Sequence, residues 1–75
     1  MEATAGYVRI GELSRRTGVS PELLRAWEQR YGLLEPTRSE GGFRLYSPHD
    51  EQRVAVMRSH LERGLSAAEA AQLTI

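Results

Sequence analysis

Seventy-five residues leave room for one domain and one modest apolar core, and little for a catalytic cleft with a supporting shell around it. The chain has no cysteine, which excludes disulfides and thiolate metal sites, and no apolar run approaches membrane-spanning length. Ten basic residues balance ten acidic ones, a neutrality that argues weakly against a nucleic-acid binder, yet every basic residue is Arg. The planar guanidinium fork suits phosphates and guanine edges. A GC-rich genome would leave the same bias, so the bias alone decides nothing.

Residues 1–6 are small and polar and read as a loose tail. They lack the basic-then-apolar order of a signal peptide, and a cytoplasmic, nucleoid-associated location is expected. Residues 7–75 read as a single domain. A helical pattern begins at Ile10 with Leu13 and breaks at Gly18, before Val19. Ser20 is a good N-cap, and Pro21 at the first helical position loses no needed hydrogen bond. The second helix then runs to Tyr31 and stops at Gly32, with Leu23, Leu24, Trp27 and Tyr31 spaced as one apolar stripe.

Pro36 opens an extended segment that leads into Gly41-Gly42, after which residues 43–46 alternate like a short strand. This predicts a two-stranded hairpin with the glycines at or near its turn. Ser47-Pro48 repeats the helix-start signal, and a third helix over residues 48–63 presents Val54, Met57 and Leu61 on one side. Asp50 and Glu51 favour the dipole at its start. After Gly64, Ser66 and Glu69 match a capping box that opens a short fourth helix through Leu73. The apolar ending Leu73-Thr74-Ile75 leads to the expectation that the natural chain continues. The fold class is mainly α with a small β-hairpin: a helix-turn-helix, a wing and two further helices.

With Trp27 set at zero on the second helix, Leu23, Leu24 and Tyr31 fall at about −40°, 60° and 40°, a single face to be buried. Glu22, Arg25 and Gln29 fall opposite, at about 220°, 160° and 200°. An acceptor, a cationic fork and an amide can read cytosine, guanine and adenine edges. Any amphipathic helix exposes such residues, and Glu22 with Arg25 is also an ordinary ion pair one turn apart. The position of the face, on the second helix of a helix-turn-helix and just before a wing, favours DNA. Ser20 further leaves backbone amides at the helix start able to meet a phosphate.

The run IGELSRRTGVSPELLRAWEQRYGLLEPTRSEGGFRLYS resembles the DNA-binding domain of the MerR family of bacterial transcription regulators. Three pieces carry the resemblance together: Ile10-Gly11-Glu12-Leu13, Leu24-Arg25 followed by an aromatic, and Gly42-Phe43-Arg44-Leu45-Tyr46. The stretch from Arg25 to Gly32 is similar to the subgroup fused to cobalamin-binding sensors, which includes light-responsive repressors of carotenoid synthesis. The chain departs from that subgroup in having no room for the cobalamin domain, so no cofactor is expected in this chain. It also has Phe43 where a His is common, and it lacks the long C-terminal helix by which many members dimerise.

The resemblance implies that helix two lies in the major groove and that Arg25 contacts the DNA backbone. It further implies that the wing reaches the neighbouring minor groove or its phosphates through Arg44, with Tyr46 and Arg38 close by. Phe43 either packs under the wing or leans into the minor groove. The implied partner is double-stranded DNA carrying inverted repeats, bound by a homodimer of the full-length protein. Repression by occlusion is common among the cobalamin-linked relatives.

Enzymatic readings fail on inventory, because His49 and His60 lie too far apart to share a helix face and both read as surface residues. Two other classes remain in view. One is a protein-interaction module whose Glu22, Arg25 and Gln29 face is covered by a DNA-mimicking antirepressor. The other is an excisionase-like factor that bends DNA. Without DNA, Arg44 would be a solvated strand residue paired with Glu35 or Glu40.

Overall fold

Both Ser-Pro pairs start helices as the sequence predicts. In the computed structural model, which describes residues 6–75, α1 spans Ile10–Thr17 and α2 spans Pro21–Tyr31. The Ser20 hydroxyl accepts a hydrogen bond from the Leu23 N–H at 3.2 Å, and Pro21 occupies the first turn. Such a cap stabilises a helix by about 1 kcal/mol. The turn between the helices needs Gly18, whose backbone is left-handed at φ 74° and whose N–H closes on the Ser14 carbonyl. Thr17 is buried beside it: its hydroxyl donates to the Leu13 carbonyl at 2.8 Å and accepts from the Val19 N–H at 3.3 Å. Arg58 donates to the Thr17 carbonyl, placing a cation at the α1 C-terminus where the helix dipole favours it.

The connection after α2 is part of the core. Leu33 and Leu34 are buried, and each contributes about 1.5–3 kcal/mol by leaving water. The connection is tied to α3 (Pro48–Glu62) by Arg53, which donates to the Leu33 carbonyl at 3.1 Å, and by Asp50. One Asp50 oxygen accepts from the Glu35 N–H at 3.0 Å and the other from the Ser47 N–H at 2.9 Å. The Ser47 hydroxyl in turn accepts from the Asp50 N–H, so the buried carboxylate caps α3 and pins the linker at once.

The wing pairs β1 (Thr37–Arg38) antiparallel with β2 (Arg44–Leu45), in the register Thr37 opposite Leu45 and Arg38 opposite Arg44. Its turn closes with the Gly42 N–H on the Ser39 carbonyl at 2.9 Å, Gly42 taking the left-handed conformation at φ 82°. A contact absent from any local pattern holds the base of the wing. Val8 and Tyr46 form an antiparallel bridge with two backbone hydrogen bonds of 2.9 and 2.7 Å. α4 (Ala67–Thr74) begins with the expected reciprocal cap between Ser66 and Glu69 and packs Ala70 and Ala71 against the core.

The core joins Leu13, Val19, Leu24, Trp27, Leu33, Leu34, Tyr46, Val54 and Met57 with the two alanines of α4. Leu23 is a correction to the expected stripe: it is 43% exposed, while Leu24 and Trp27 are buried and Tyr31 is half-buried. The buried face is centred between Trp27 and Leu24, which rotates Leu23 to its rim. His60 is also a correction, being half-buried, with Nδ1 shielded from solvent and unpaired among the described residues. The expected loose tail falls largely on residues 1–5, which lie outside the described residues. Among the described residues no helix is long and apolar enough to cross a membrane.

Candidate nucleic-acid interface

With the core-facing side of α2 fixed by Leu24 and Trp27, the remaining positions follow from helix geometry. Glu22, Arg25 and Gln29 are exposed on the far side. Glu28 falls between the two faces, at about 100° from Trp27, and so points along the flank of the helix. The wing stands on that flank. Arg44 and Tyr46 are two residues apart on an extended strand and therefore share a face. Both meet Glu28: the Tyr46 hydroxyl donates to one carboxylate oxygen at 2.7 Å, and Arg44 Nε lies 3.5 Å from the other.

This arrangement corrects the expected role of Tyr46. Its side chain is fully buried and its hydroxyl is already bonded to Glu28, so it offers DNA no free group. Burial, and then the hydrogen bond to Glu28, push its phenol well above the ordinary value. Arg44 pairs with Glu28 rather than with Glu35 or Glu40. The pairing engages Nε and leaves the terminal nitrogens of the fork available.

The other wing residues are also positioned. Arg38 donates from Nη1 to the Gly42 carbonyl at 2.8 Å, folding back across the hairpin. Phe43 is 50% exposed at the tip, and its N–H donates to the Ser39 hydroxyl at 3.1 Å. Its ring is covered by a residue that sequence reasoning did not single out: the Arg9 guanidinium carbon lies 3.9 Å from the ring centroid.

Between α2 and the wing these residues enclose an open concavity of about 230 Å³, lined by Arg9, Ile10, Arg25, Arg38, Gly42, Phe43, Arg44 and Tyr46. Four arginines thus line one hollow, and Glu28 offsets the charge of one of them, Arg44. Ser20, Pro21, Glu22 and Gln29 do not line it; they continue the surface along α2. A neutral chain has in this way gathered positive charge at one place. Such a hollow attracts anions and raises their local concentration. Among the described residues no group of His, Asp and Glu could hold a metal ion. The signal for Glu28 was available in the helix angles, whereas nothing near Arg9 in the sequence points to Phe43.

A helix-turn-helix with a wing and a shared basic hollow defines a DNA-binding module. The family of MerR HTH regulatory proteins matches residues 8–74, and the chain belongs to it. It is 36% identical over 64 residues to the HTH-type transcriptional regulator MlrA of Escherichia coli, covering 85% of this chain and 26% of that protein. To the HTH-type transcriptional repressor CarA of Myxococcus xanthus it is 46% identical over 65 residues, covering 84% of this chain and 23% of CarA. A third relative, the HTH-type transcriptional regulator ZntR of Escherichia coli, is 40% identical over 58 residues, or 77% of this chain and 41% of ZntR. The chain is the DNA-binding domain of a bacterial transcription regulator, and it spans about a quarter of the length of MlrA and CarA.

Proposed function

We propose that α2 lies in the major groove of an operator, with Glu22 and Gln29 toward the base edges and Arg25 toward the phosphates, while the wing holds the flanking backbone at the minor groove. The observation that carries this reading is the convergence of Arg25, Arg38 and Arg44 from α2 and the wing on one hollow. Phosphate contacts from such a cluster set the register, and the few side chains on α2 then specify sequence. In the first turn of α2 Pro21 has no N–H, and those of Leu23 and Leu24 bond to Ser20, so the Glu22 N–H is the one left for a phosphate.

A single copy reads one half-site, so binding by this domain alone is weak. In this reading a full-length protein binds an inverted repeat as a homodimer and occludes the promoter; the relative named as a transcriptional repressor supports the repression alone. An antirepressor that imitates DNA would cover the same α2 face. The reading requires neither catalysis nor a cofactor bound to this chain. Replacing Arg44 with Ala tests it by fluorescence anisotropy on labelled duplexes over a salt series. Affinity falls for all sequences, and the dependence of log K on log salt becomes shallower by about 0.9. Unchanged binding at moderate salt would remove the wing from the interface.

A further inference from the structure

Arg9 precedes α1 and sits far in sequence from both the recognition helix and the wing. We infer that Arg9 is an additional phosphate-contacting residue of the DNA interface, and that Phe43 is the platform that holds it there rather than a wedge entering the minor groove. The inference rests on the DNA-binding reading above and adds two roles to it.

Three observations carry it. The guanidinium of Arg9 lies over the Phe43 ring at 3.9 Å, and Arg9 lines the same hollow as Arg25, Arg38 and Arg44. Contact through the ring face uses the charge without consuming N–H donors, so the in-plane fork stays free for a phosphate. The ring itself is held close against the wing turn, where a Cβ added to Gly41 would come within 3.0 Å of the Phe43 Cε2 atom. The Val8 bridge to Tyr46 fixes the backbone next to Arg9 relative to the wing. An exposed arginine ordinarily loses side-chain freedom when it binds; one already stacked loses less, which is the advantage of preorganisation.

The platform and wedge roles for Phe43 make opposite predictions. Binding of the 75-residue chain to a random-sequence duplex is measured by anisotropy across a salt series, because phosphate contacts are independent of sequence. Arg9→Ala is expected to make the salt dependence about 0.9 shallower. Phe43→Leu keeps the charge, so it lowers affinity several-fold while leaving the slope near that of the wild type. In the double variant, Phe43→Leu adds nothing to the loss caused by Arg9→Ala. Both side chains are exposed, and a melting curve on each variant checks that the fold is intact.

An unchanged slope in Arg9→Ala, alongside a shallower one in Arg44→Ala, overturns the inference and leaves the wider reading standing. Additive losses overturn the platform role, since a wedge contributes whatever residue 9 is. Failure of the wild-type chain to bind any duplex at low salt instead brings down the DNA-binding geometry, and this inference with it.

Discussion

The Glu28 carboxylate on α2 accepts a hydrogen bond from the Tyr46 hydroxyl at 2.7 Å, a part-buried side-chain contact that joins α2 to the base of the wing. Arg44 approaches the same carboxylate, so one acid fixes both the angle of the wing and the cation it presents. Tyr46→Phe removes a hydrogen bond to a charged group and is expected to cost about 1.5–3 kcal/mol in urea unfolding. Glu28→Ala leaves the buried hydroxyl without its acceptor and costs a similar amount. Because the two substitutions break one interaction, the double variant is less destabilised than the sum of the singles. Additive costs would mean that the two residues act independently.

Alkaline titration gives a second test of the same contact. Tyr46 has its folded pKa raised above the ordinary value of 10.0, so its contribution to stability is complete below that value. Above about pH 10 the unfolded chain releases the phenolic proton while the folded protein keeps it, and stability falls with rising pH. The slope of unfolding free energy between neutral and strongly alkaline pH is therefore steeper in the wild type than in Tyr46→Phe. Equal slopes would contradict a buried, hydrogen-bonded phenol.

Glu22 faces away from the core in the first turn of α2, outside the arginine hollow. A carboxylate there accepts from cytosine N4 and repels phosphate. Glu22→Ala is expected to change which half-sites are selected from a randomised duplex pool, at about 1–3 kcal/mol per discriminated base. Its binding to non-cognate DNA does not weaken. A uniform loss of affinity with an unchanged preference would assign Glu22 to the scaffold.

Asp50 is almost wholly buried and accepts two backbone N–H groups, one from the linker and one from its own helix cap. Asp50→Asn keeps the shape but turns one acceptor into a donor facing an N–H. Both Asp50→Asn and Asp50→Ala are expected to destabilise by at least about 1–3 kcal/mol in thermal or urea melts, because each strands a buried donor. Hydrogen exchange at the Glu35 amide should accelerate in both. An Asn variant as stable as the wild type would show that the linker is held by its leucines alone.

Helix starts were the most legible part of this fold, because Ser20, Ser47 and Ser66 cap through local hydrogen bonds that their own neighbours complete. The alternation in the wing was equally readable and placed Arg44 and Tyr46 on one face. What local pattern cannot state is which way that face turns, and it turns inward to Glu28. Leu23 illustrates the same limit, since a stripe has a width but its centre is set by the partner that packs on it. Burial of Leu33 and Leu34 has no local signature, because it depends on α3, whose approach is tertiary. The Arg9 stack joins segments with no sequence relation at all.

The bridge between Val8 and Tyr46 sets an order of assembly. During synthesis Val8 emerges first, and both helices of the DNA-reading pair are made before its partner exists. The strands of the wing are two residues each, too short to persist as an isolated hairpin. Closure of the wing must therefore wait for a long loop to shut, and it is rewarded only once the helices have already packed. The wing is in this sense finished only after the helix pair, when Val8 and Tyr46 meet across the residues between them.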